Sequence, residues 1–182
     1  MSEKELLLIR NKIVTVTAIP RLIECGFNMS PFSTAWNGRN NLQDFNYDLC
    51  RISENRLLEN IEIYLSKGDR WIKFTLNIFE LSPEVESIEQ LKGLDGLQFK
   101  LPPNSLTEMR LRIDDIKGIP LFQLGYMNGH KLQRFYTDRG MQQSLHDLTK
   151  TIEKDINNIN RFVERWHKMH LPLKTTWTGH HI

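Results

Sequence analysis

Apolar residues near the N-terminus recur every three or four positions, which is the spacing of an amphipathic helix. Ser2 and Glu5 have the spacing of a capping box, in which each side chain bonds a backbone N–H of the first turn. Pro20 lacks a backbone donor and should kink or split the helix, and Gly26 suits its C-terminal end. The pattern therefore predicts an N-terminal helix within residues 1–27, with an apolar face formed by Leu6, Ile9, Ile13 and Val16.

In the middle of the chain, apolar positions alternate with polar ones, as expected for β-strands with one buried face. Two such runs, 61–65 and 72–78, flank the segment SKGDR, in which Gly68 can adopt the positive φ of a tight connection. These runs predict an antiparallel hairpin. Asn128-Gly129 is typical of a turn. Further strands are predicted at 32–36, 45–49, 109–113 and 120–126.

The helical period returns after about residue 141 and keeps one apolar stripe as far as Trp166. It predicts a long helix at 138–170, whose apolar stripe from about residue 141 to Trp166 is roughly 40 Å long at 1.5 Å per residue. Such a stripe has to be covered by the sheet, by the first helix or by another protein. The segment 171–182 is predicted to be a tail that little holds in place.

This order of elements predicts an α+β fold, in which both helices pack on one face of an antiparallel sheet as a two-layer sandwich. The sheet is expected to be a meander of about five or six strands within residues 31–126. Residues 82–106, with three prolines and two glycines, are expected to form a surface loop. The chain of 182 residues suits a single domain, 1–182, because no repeat or linker divides it.

The end of the first helix, LIECGF at 22–27, and the strand FTLNIF at 74–79 resemble a family of uncharacterised bacterial α+β domains. Some members of that family lie near toxin-immunity genes. The resemblance covers about residues 10–80 and consists of apolar motifs. It implies an α+β fold and an immunity-like or antitoxin-like role, and it assigns no functional residues.

Composition and charge indicate which classes of partner the protein binds and in which cellular compartment it acts. The formal net charge is only +2, which gives no electrostatic preference for nucleic acid or anionic membranes. Cys25 and Cys50 are far apart and match no zinc or disulfide pattern, so we expect two reduced thiols. The N-terminus lacks the features of a signal peptide, and no run approaches the ~20 apolar residues of a membrane span. We therefore expect a cytoplasmic protein that does not act at a membrane.

The strongest metal-like pattern is at the C-terminal end of the chain. Glu164, His167 and His170 are three residues apart and would lie on consecutive helical turns, with His180 or His181 as a further ligand. That set would suit a metal-dependent hydrolase, although a di-iron site would need a second Glu-x-x-His copy. The other interpretation is a solvated helix end, where cationic side chains are favoured by the helix dipole without any ligand.

Basic residues interleaved with aromatic ones suggest a second alternative, a nucleic-acid-binding accessory protein. Arg110 and Arg112 are predicted to share one face of a strand, and Arg134 follows the Asn-Gly turn. Aspartates at 114, 115 and 138 lie among them, so the local charge largely cancels. This pattern is also that of a solvated sheet edge.

Aromatic residues on the polar side of the strands suggest a protein-binding surface. Trp71 and Phe79 fall opposite the apolar face of their strand, and Tyr64 and Trp36 could join them. The alternative is that loop 82–106 covers these rings.

Carboxylates could supply acid–base pairs, but spacing alone does not single out any of Asp44, Asp48, Glu59 and Glu62. No phosphate-binding loop, dinucleotide fingerprint or nucleophile elbow is present, and no cofactor is expected. The sequence therefore favours a small non-catalytic module that binds a protein partner.

Overall fold

The computed structural model describes residues 2–54, 56–114 and 129–182. The chain begins with the predicted helix, and the capping box is present: the Ser2 N–H donates to Glu5 Oε2 at 2.7 Å, and the Glu5 N–H donates to Ser2 Oγ at 3.2 Å. A π-helical turn precedes Pro20, which lacks the N–H of a regular helical ladder. The helix therefore has three parts, α1 (Glu3–Ile13), the π turn (Val14–Ala18) and α2 (Ile19–Glu24).

The sheet has the strand order β1-β3-β4-β5-β6, and neighbouring strands on this path are antiparallel. β2 also pairs with β3, and β7 runs parallel to β5. The predicted hairpin is confirmed as β4 and β5. The strands are β1 (Asn28–Met29), β2 (Asn37–Arg39), β3 (Phe45–Ile52), β4 (Leu57–Leu65), β5 (Lys73–Leu81), β6 (Met109–Arg110) and β7 (Leu173–Thr175).

Three strand predictions differ from the structure. The strand expected at 32–36 lies instead at Asn37–Arg39, and the strand expected at 109–113 has only two residues. There the chain turns, because Arg112 adopts φ 66° and leaves the extended conformation. The strand expected at 120–126 lies outside the described residues, as does Asn128 of the predicted turn.

The long C-terminal helix is two helices, α3 (Asp138–Ile156) and α4 (Ile159–Met169). The prediction of one helix at 138–170 was wrong at residues 157–158. Asn158 has φ −112° and ψ 29°, outside the helical region, and its Nδ2 donates to the Lys154 carbonyl at 2.7 Å. An asparagine side chain that bonds the backbone in this way competes with regular helical pairing.

The helices lie on one face of the sheet, so the predicted α+β two-layer arrangement is confirmed. Alternate residues of β3, β4 and β5 point toward the helices and form the main core with their apolar stripes. At its centre Trp166 is fully buried, and its Nε1 donates to the Thr107 carbonyl at 2.6 Å.

The opposite face of the sheet is covered by the segment between β5 and β6, which we call the covering loop (residues 82–108). As predicted, this segment runs over the surface, and it contains three short 3₁₀ turns. It forms a second apolar cluster with the sheet, whose buried members are Phe32, Cys50, Leu58, Phe79, Leu81, Val85, Leu91 and Phe99.

The C-terminal segment, predicted to be a loosely held tail, is instead fixed to the sheet. β7 pairs with β5, and Thr175 forms a bridge with His181. The Trp177 Nε1 donates to the Pro83 carbonyl at 2.6 Å, which ties the segment to the covering loop. The prediction failed because these partners are distant in sequence.

Gly179 gives a direct test of this attachment. Its φ is +87°, and a Cβ atom there would lie 2.7 Å from the backbone nitrogen of Phe99. We expect Gly179→Ala to lower the free energy of unfolding by about 3 kcal/mol, from left-handed backbone strain and overpacking together. Urea denaturation measures the change.

Gly26→Ala is the matched control, because Gly26 has the same φ of +87° but no atom within 4 Å of a new Cβ. It should show only the backbone strain, about 1 kcal/mol. Equal losses in the two variants would contradict the close contact between the C-terminal segment and the covering loop.

Candidate functional site

A pocket opens on the sheet face that points away from the helices, between the central strands and the covering loop. Its empty space is about 520 Å³, part of which is open to solvent. Concave sites with an apolar wall and a few converging polar groups are the usual places where proteins bind ligands. The pocket is therefore the candidate functional site.

The floor of the pocket is polar because the side chains that alternate with the core residues point toward it. Asn60 and Asn77 are cross-strand partners, as are Glu62 and Thr75. Asp48 on β3 lies directly opposite Glu62 on β4. Like charges at such positions destabilise a sheet, so this arrangement needs compensation or a functional reason.

Asp48 is compensated by Lys100 from the covering loop. The Lys100 Nζ lies 2.8 Å from each carboxylate oxygen of Asp48. The Trp36 backbone N–H also donates to Asp48 Oδ2 at 2.6 Å. Asp48 is therefore neutralised and held in place by protein groups.

Glu62 and Glu108 are less well compensated. Glu62 accepts a hydrogen bond from the neutral Asn46 amide at 2.8 Å. Burial raises the pKa of Glu108, the charge of Glu62 raises it further, and Lys100 acts in the opposite direction. The pocket thus contains three carboxylates and one ammonium group.

Three phenylalanines form the wall of the pocket. The ring centroid of Phe99 lies 5.2 Å from that of Phe32 and 4.9 Å from that of Phe79. Gly96 permits this packing, because a Cβ atom there would lie 2.6 Å from Cγ of Phe32. The pocket therefore combines a wall of tilted, largely buried aromatic rings with a carboxylate-rich floor.

A buried amide network holds the covering loop against the floor. The Asn77 Nδ2 donates to the Asn104 carbonyl at 2.9 Å, and the Thr107 hydroxyl lies 2.9 Å from Asn77 Oδ1. The Asn104 Nδ2 donates to the Gly179 carbonyl at 2.6 Å. These bonds fix the pocket walls before any ligand binds.

The predicted aromatic binding surface was wrong for Phe79 and Trp71, which are only 1% and 7% exposed. The covering loop buries Phe79, as the alternative interpretation held. Trp71 is covered instead by the segment after residue 128, where the Lys131 Nζ lies 5.0 Å from its ring centroid. Tyr64 is half-buried and donates to Asp44 at 2.6 Å, whereas Trp36 remains 38% exposed.

The structure does not bring the predicted metal ligands together. Within residues 2–54, 56–114 and 129–182, no group of three or more His, Cys, Asp and Glu side chains could hold a metal ion. His167 and His170 instead contact the Trp166 ring, with centroids 5.3 and 5.4 Å away. Burial lowers the pKa of His170. Glu164, His167 and His170 therefore do not form a metal site in the described part of the chain.

The predicted basic face is not formed either. Arg110 is paired with Asp114, with an Nη2–Oδ1 distance of 2.9 Å. Arg112 pairs with Asp155 on α3, in the helix layer. Arg134 lies before α3 and is exposed. The three arginines therefore do not make a common surface for phosphates.

Sequence reasoning named Asp48 and Glu62 only as ordinary acidic residues, and it missed Lys100 and Glu108. A usable signal was the polar side of β4 and β5, where Asn60, Glu62, Thr75 and Asn77 follow one another on central strands. A covering loop above such a polar stripe indicates a lined cavity beside the second apolar cluster.

No helix in the described part of the chain is long and apolar enough to cross a membrane. Comparison with protein-family models, with curated proteins and with solved structures finds no match. The resemblance to bacterial α+β domains stays a prediction.

Proposed function

We propose that the chain is a small non-catalytic module that binds a protein partner through the pocket on the second face of the sheet. The observation that supports this function is the combination of an aromatic wall and a carboxylate floor in a pre-formed cavity. An immunity-like or antitoxin-like role is the concrete form of this proposal, because proteins of that class act by binding another protein.

The polar groups of the pocket favour binding over catalysis. None of the described residues that line it is a histidine or a cysteine. Asp48 is held by Lys100 and by the Trp36 N–H, so its oxygens are already engaged. General acid–base catalysis needs a group that is positioned to exchange protons with a substrate, whereas a fixed ion pair serves to shape a binding site.

The surface around the pocket suits a protein partner. Trp36, Leu97 and Leu101 are adjacent or close in sequence to lining residues, and between 38% and 46% of each is exposed. Exposed aromatic and aliphatic side chains are typical of the centre of an interface. A partner could therefore bury these side chains while it inserts a polar group into the pocket.

We also propose that the protein acts in the cytoplasm. Cys25 and Cys50 are both free thiols, and burial raises the pKa of Cys50 to about 12. Free cysteines are usual in proteins of a reducing compartment.

Selection from a displayed library of random peptides tests the binding function. We expect the protein to enrich peptides that bind the pocket, and Thr75→Lys to weaken their binding by about ten-fold or more, which is about 1.4 kcal/mol. Thr75 lines the pocket and is only half-buried, so the lysine blocks the cavity from within.

Glu80→Gln is the matched control. It makes the same change in net charge on the same strand, but Glu80 is exposed and lies outside the pocket. Binding to this variant should be unchanged. If no enriched peptide depended on Thr75 while circular dichroism showed intact folding, the proposed function would be wrong.

A further inference from the structure

The covering loop, which forms one side of the pocket, is attached to the C-terminal segment, residues 171–182. We propose that this segment regulates the pocket. While it is docked, the covering loop stays on the sheet and the pocket is formed; when it detaches, the covering loop lifts. The protein partner binds the docked state and stabilises it. That last step rests on the proposed function, whereas the attachment depends only on contacts within the chain.

A line of hydrogen bonds joins the pocket to the C-terminal segment. Asn77 on β5 lines the pocket, and its Nδ2 donates to the Asn104 carbonyl at 2.9 Å. The Asn104 Nδ2 donates in turn to the Gly179 carbonyl at 2.6 Å. Gly179 also lies against the pocket residue Phe99, because a Cβ atom on it would be 3.0 Å from the ring. Detachment of the segment therefore removes a support from the covering loop at both Asn104 and Phe99.

The C-terminal segment is anchored in the second apolar cluster, whereas the helix before it is anchored in the main core. Leu173 and Trp177 are partly buried and pack against the second cluster. Trp166 on α4 is fully buried in the main core. Between the two, Leu171 is 83% exposed. Parts of a protein with few buried contacts of their own open at a lower free energy than its core, so the segment can detach while the helices and central strands stay folded.

The docked state carries an energetic cost at this attachment. Thr175 Oγ1 and Asn104 Oδ1 are buried and find no hydrogen-bond partner within the described residues. Thr175 is 0% exposed and Asn104 is 1% exposed. Because a buried polar atom without a partner loses its hydration, detachment returns part of the free energy that the broken contacts supplied. The attachment is thus weaker than its hydrogen bonds and apolar contacts alone would make it.

Cys50 provides a chemical probe of the covering loop. It is 0% exposed and belongs to the second apolar cluster, so iodoacetamide reaches it when the covering loop lifts or when the whole chain unfolds. Labelling is followed in a Cys25→Ser parent, because Cys25 is only partly buried and would also react. Trp177→Phe removes the Nε1–H that donates to the Pro83 carbonyl and keeps an aromatic ring. We expect it to speed the labelling of Cys50 by about ten-fold.

Tyr47→Phe is the matched control, which separates lifting of the covering loop from global unfolding. It also removes one hydrogen bond of an aromatic side chain, from the Tyr47 hydroxyl to Asn11 Oδ1 at 2.7 Å. That bond joins the first helix to the sheet, so the labelling rate of Cys50 should stay close to that of the parent. Equal acceleration by the two substitutions, or none by Trp177→Phe, would overturn the inference.

The pocket-dependent peptides from display test the coupling to the partner. At about ten times its Kd, such a peptide should slow the labelling of Cys50 about ten-fold, because it binds the docked state. A peptide that depended on Thr75 but left the labelling rate unchanged would overturn the coupling while the proposed function stood. If no peptide depended on Thr75 but Trp177→Phe sped the labelling, the proposed function would fail and control of the covering loop by the C-terminal segment would stand.

Discussion

Arg10→Ala is expected to lower the free energy of unfolding by about 3–5 kcal/mol, because it removes the donors of one buried and one partly buried carbonyl group. The Arg10 side chain is fully buried although it lies on the first helix. Its Nη1 donates to the Trp71 carbonyl at 2.7 Å, and its Nη2 donates to the Ser66 carbonyl at 2.9 Å. Loss of packing along the aliphatic part of the side chain adds to the effect.

These bonds attach both ends of the β4–β5 turn to the helix layer. Burial lowers the pKa of Arg10, and the charge of Asp69 opposes that change. A guanidinium stays protonated in proteins even when its pKa is lowered, so the side chain remains a donor at every accessible pH. The charged guanidinium of Arg10 therefore joins the helix layer to the sheet through hydrogen bonds.

Urea denaturation of Arg10→Ala and Lys12→Ala separates this role from a general effect of charge. Lys12 is exposed on the same helix, and its replacement changes the net charge by the same amount. We expect Lys12→Ala to change the unfolding free energy by no more than about 0.5 kcal/mol. Similar losses in both variants would show that the buried hydrogen bonds of Arg10 contribute little.

A second large effect is expected for Asp155→Ala, which should lower the unfolding free energy by about 3–5 kcal/mol. Asp155 is 2% exposed and is bonded to two cationic or polar side chains. The His130 Nε2 lies 2.8 Å from its Oδ2, and the Arg112 Nη2 donates to its Oδ1 at 3.0 Å. Removing the carboxylate leaves the Arg112 guanidinium without this compensating charge. Loss of one partner from a buried ion pair is strongly destabilising for this reason.

The same carboxylate should make stability depend on pH in a defined direction. Burial alone would raise the pKa of Asp155, but hydrogen bonds from His130 and Arg112, together with their charges, outweigh burial and lower the pKa. A lowered pKa in the folded state stabilises the fold above the unfolded value of about 3.9. This contribution is lost as the pH falls through the folded pKa.

Denaturation of the wild type and Asp155→Asn from pH 7 down to pH 3 measures this dependence. The difference in unfolding free energy should be largest near neutral pH and should shrink below about pH 4. Asp147→Asn is the control, because Asp147 is exposed on the same helix. A difference that stayed constant over the whole range would contradict the ionised state of Asp155.

The hairpin and the first helix could be predicted because their signals are local. Ile61, Ile63, Phe74 and Leu76 alternate with polar residues, and this period alone specifies a strand with one covered face. The helix break at 157–158 could not be found in this way. Ile156 and Ile159 are both buried on the two sides of the break, so the apolar stripe continues while the backbone does not.

Contacts between distant segments limited the prediction of the site. Asp48 and Glu62 were named only among carboxylates that their spacing did not distinguish, and Lys100 reaches Asp48 from a loop that is 52 residues away in sequence. Phe79 alternates with the core residues of its strand, as an exposed residue would, but it is buried in the apolar cluster under the covering loop, where Phe99 packs on it. Periodicity records which side of a strand a residue occupies, and it contains no information on what covers that side.

In the described part of the chain, two short strands pair with β5 along the edge that β4 does not occupy. β6 pairs with Thr75 and Leu76, and β7 pairs with residues from Phe79 to Leu81. Because β7 comes late in the chain, a ribosome makes it well after β5. Until then β7 cannot pair with Phe79–Leu81, and unpaired backbone N–H and C=O groups at a strand edge template strand pairing between chains. β7 thus covers a stretch of the β5 edge at which pairing between chains could otherwise begin.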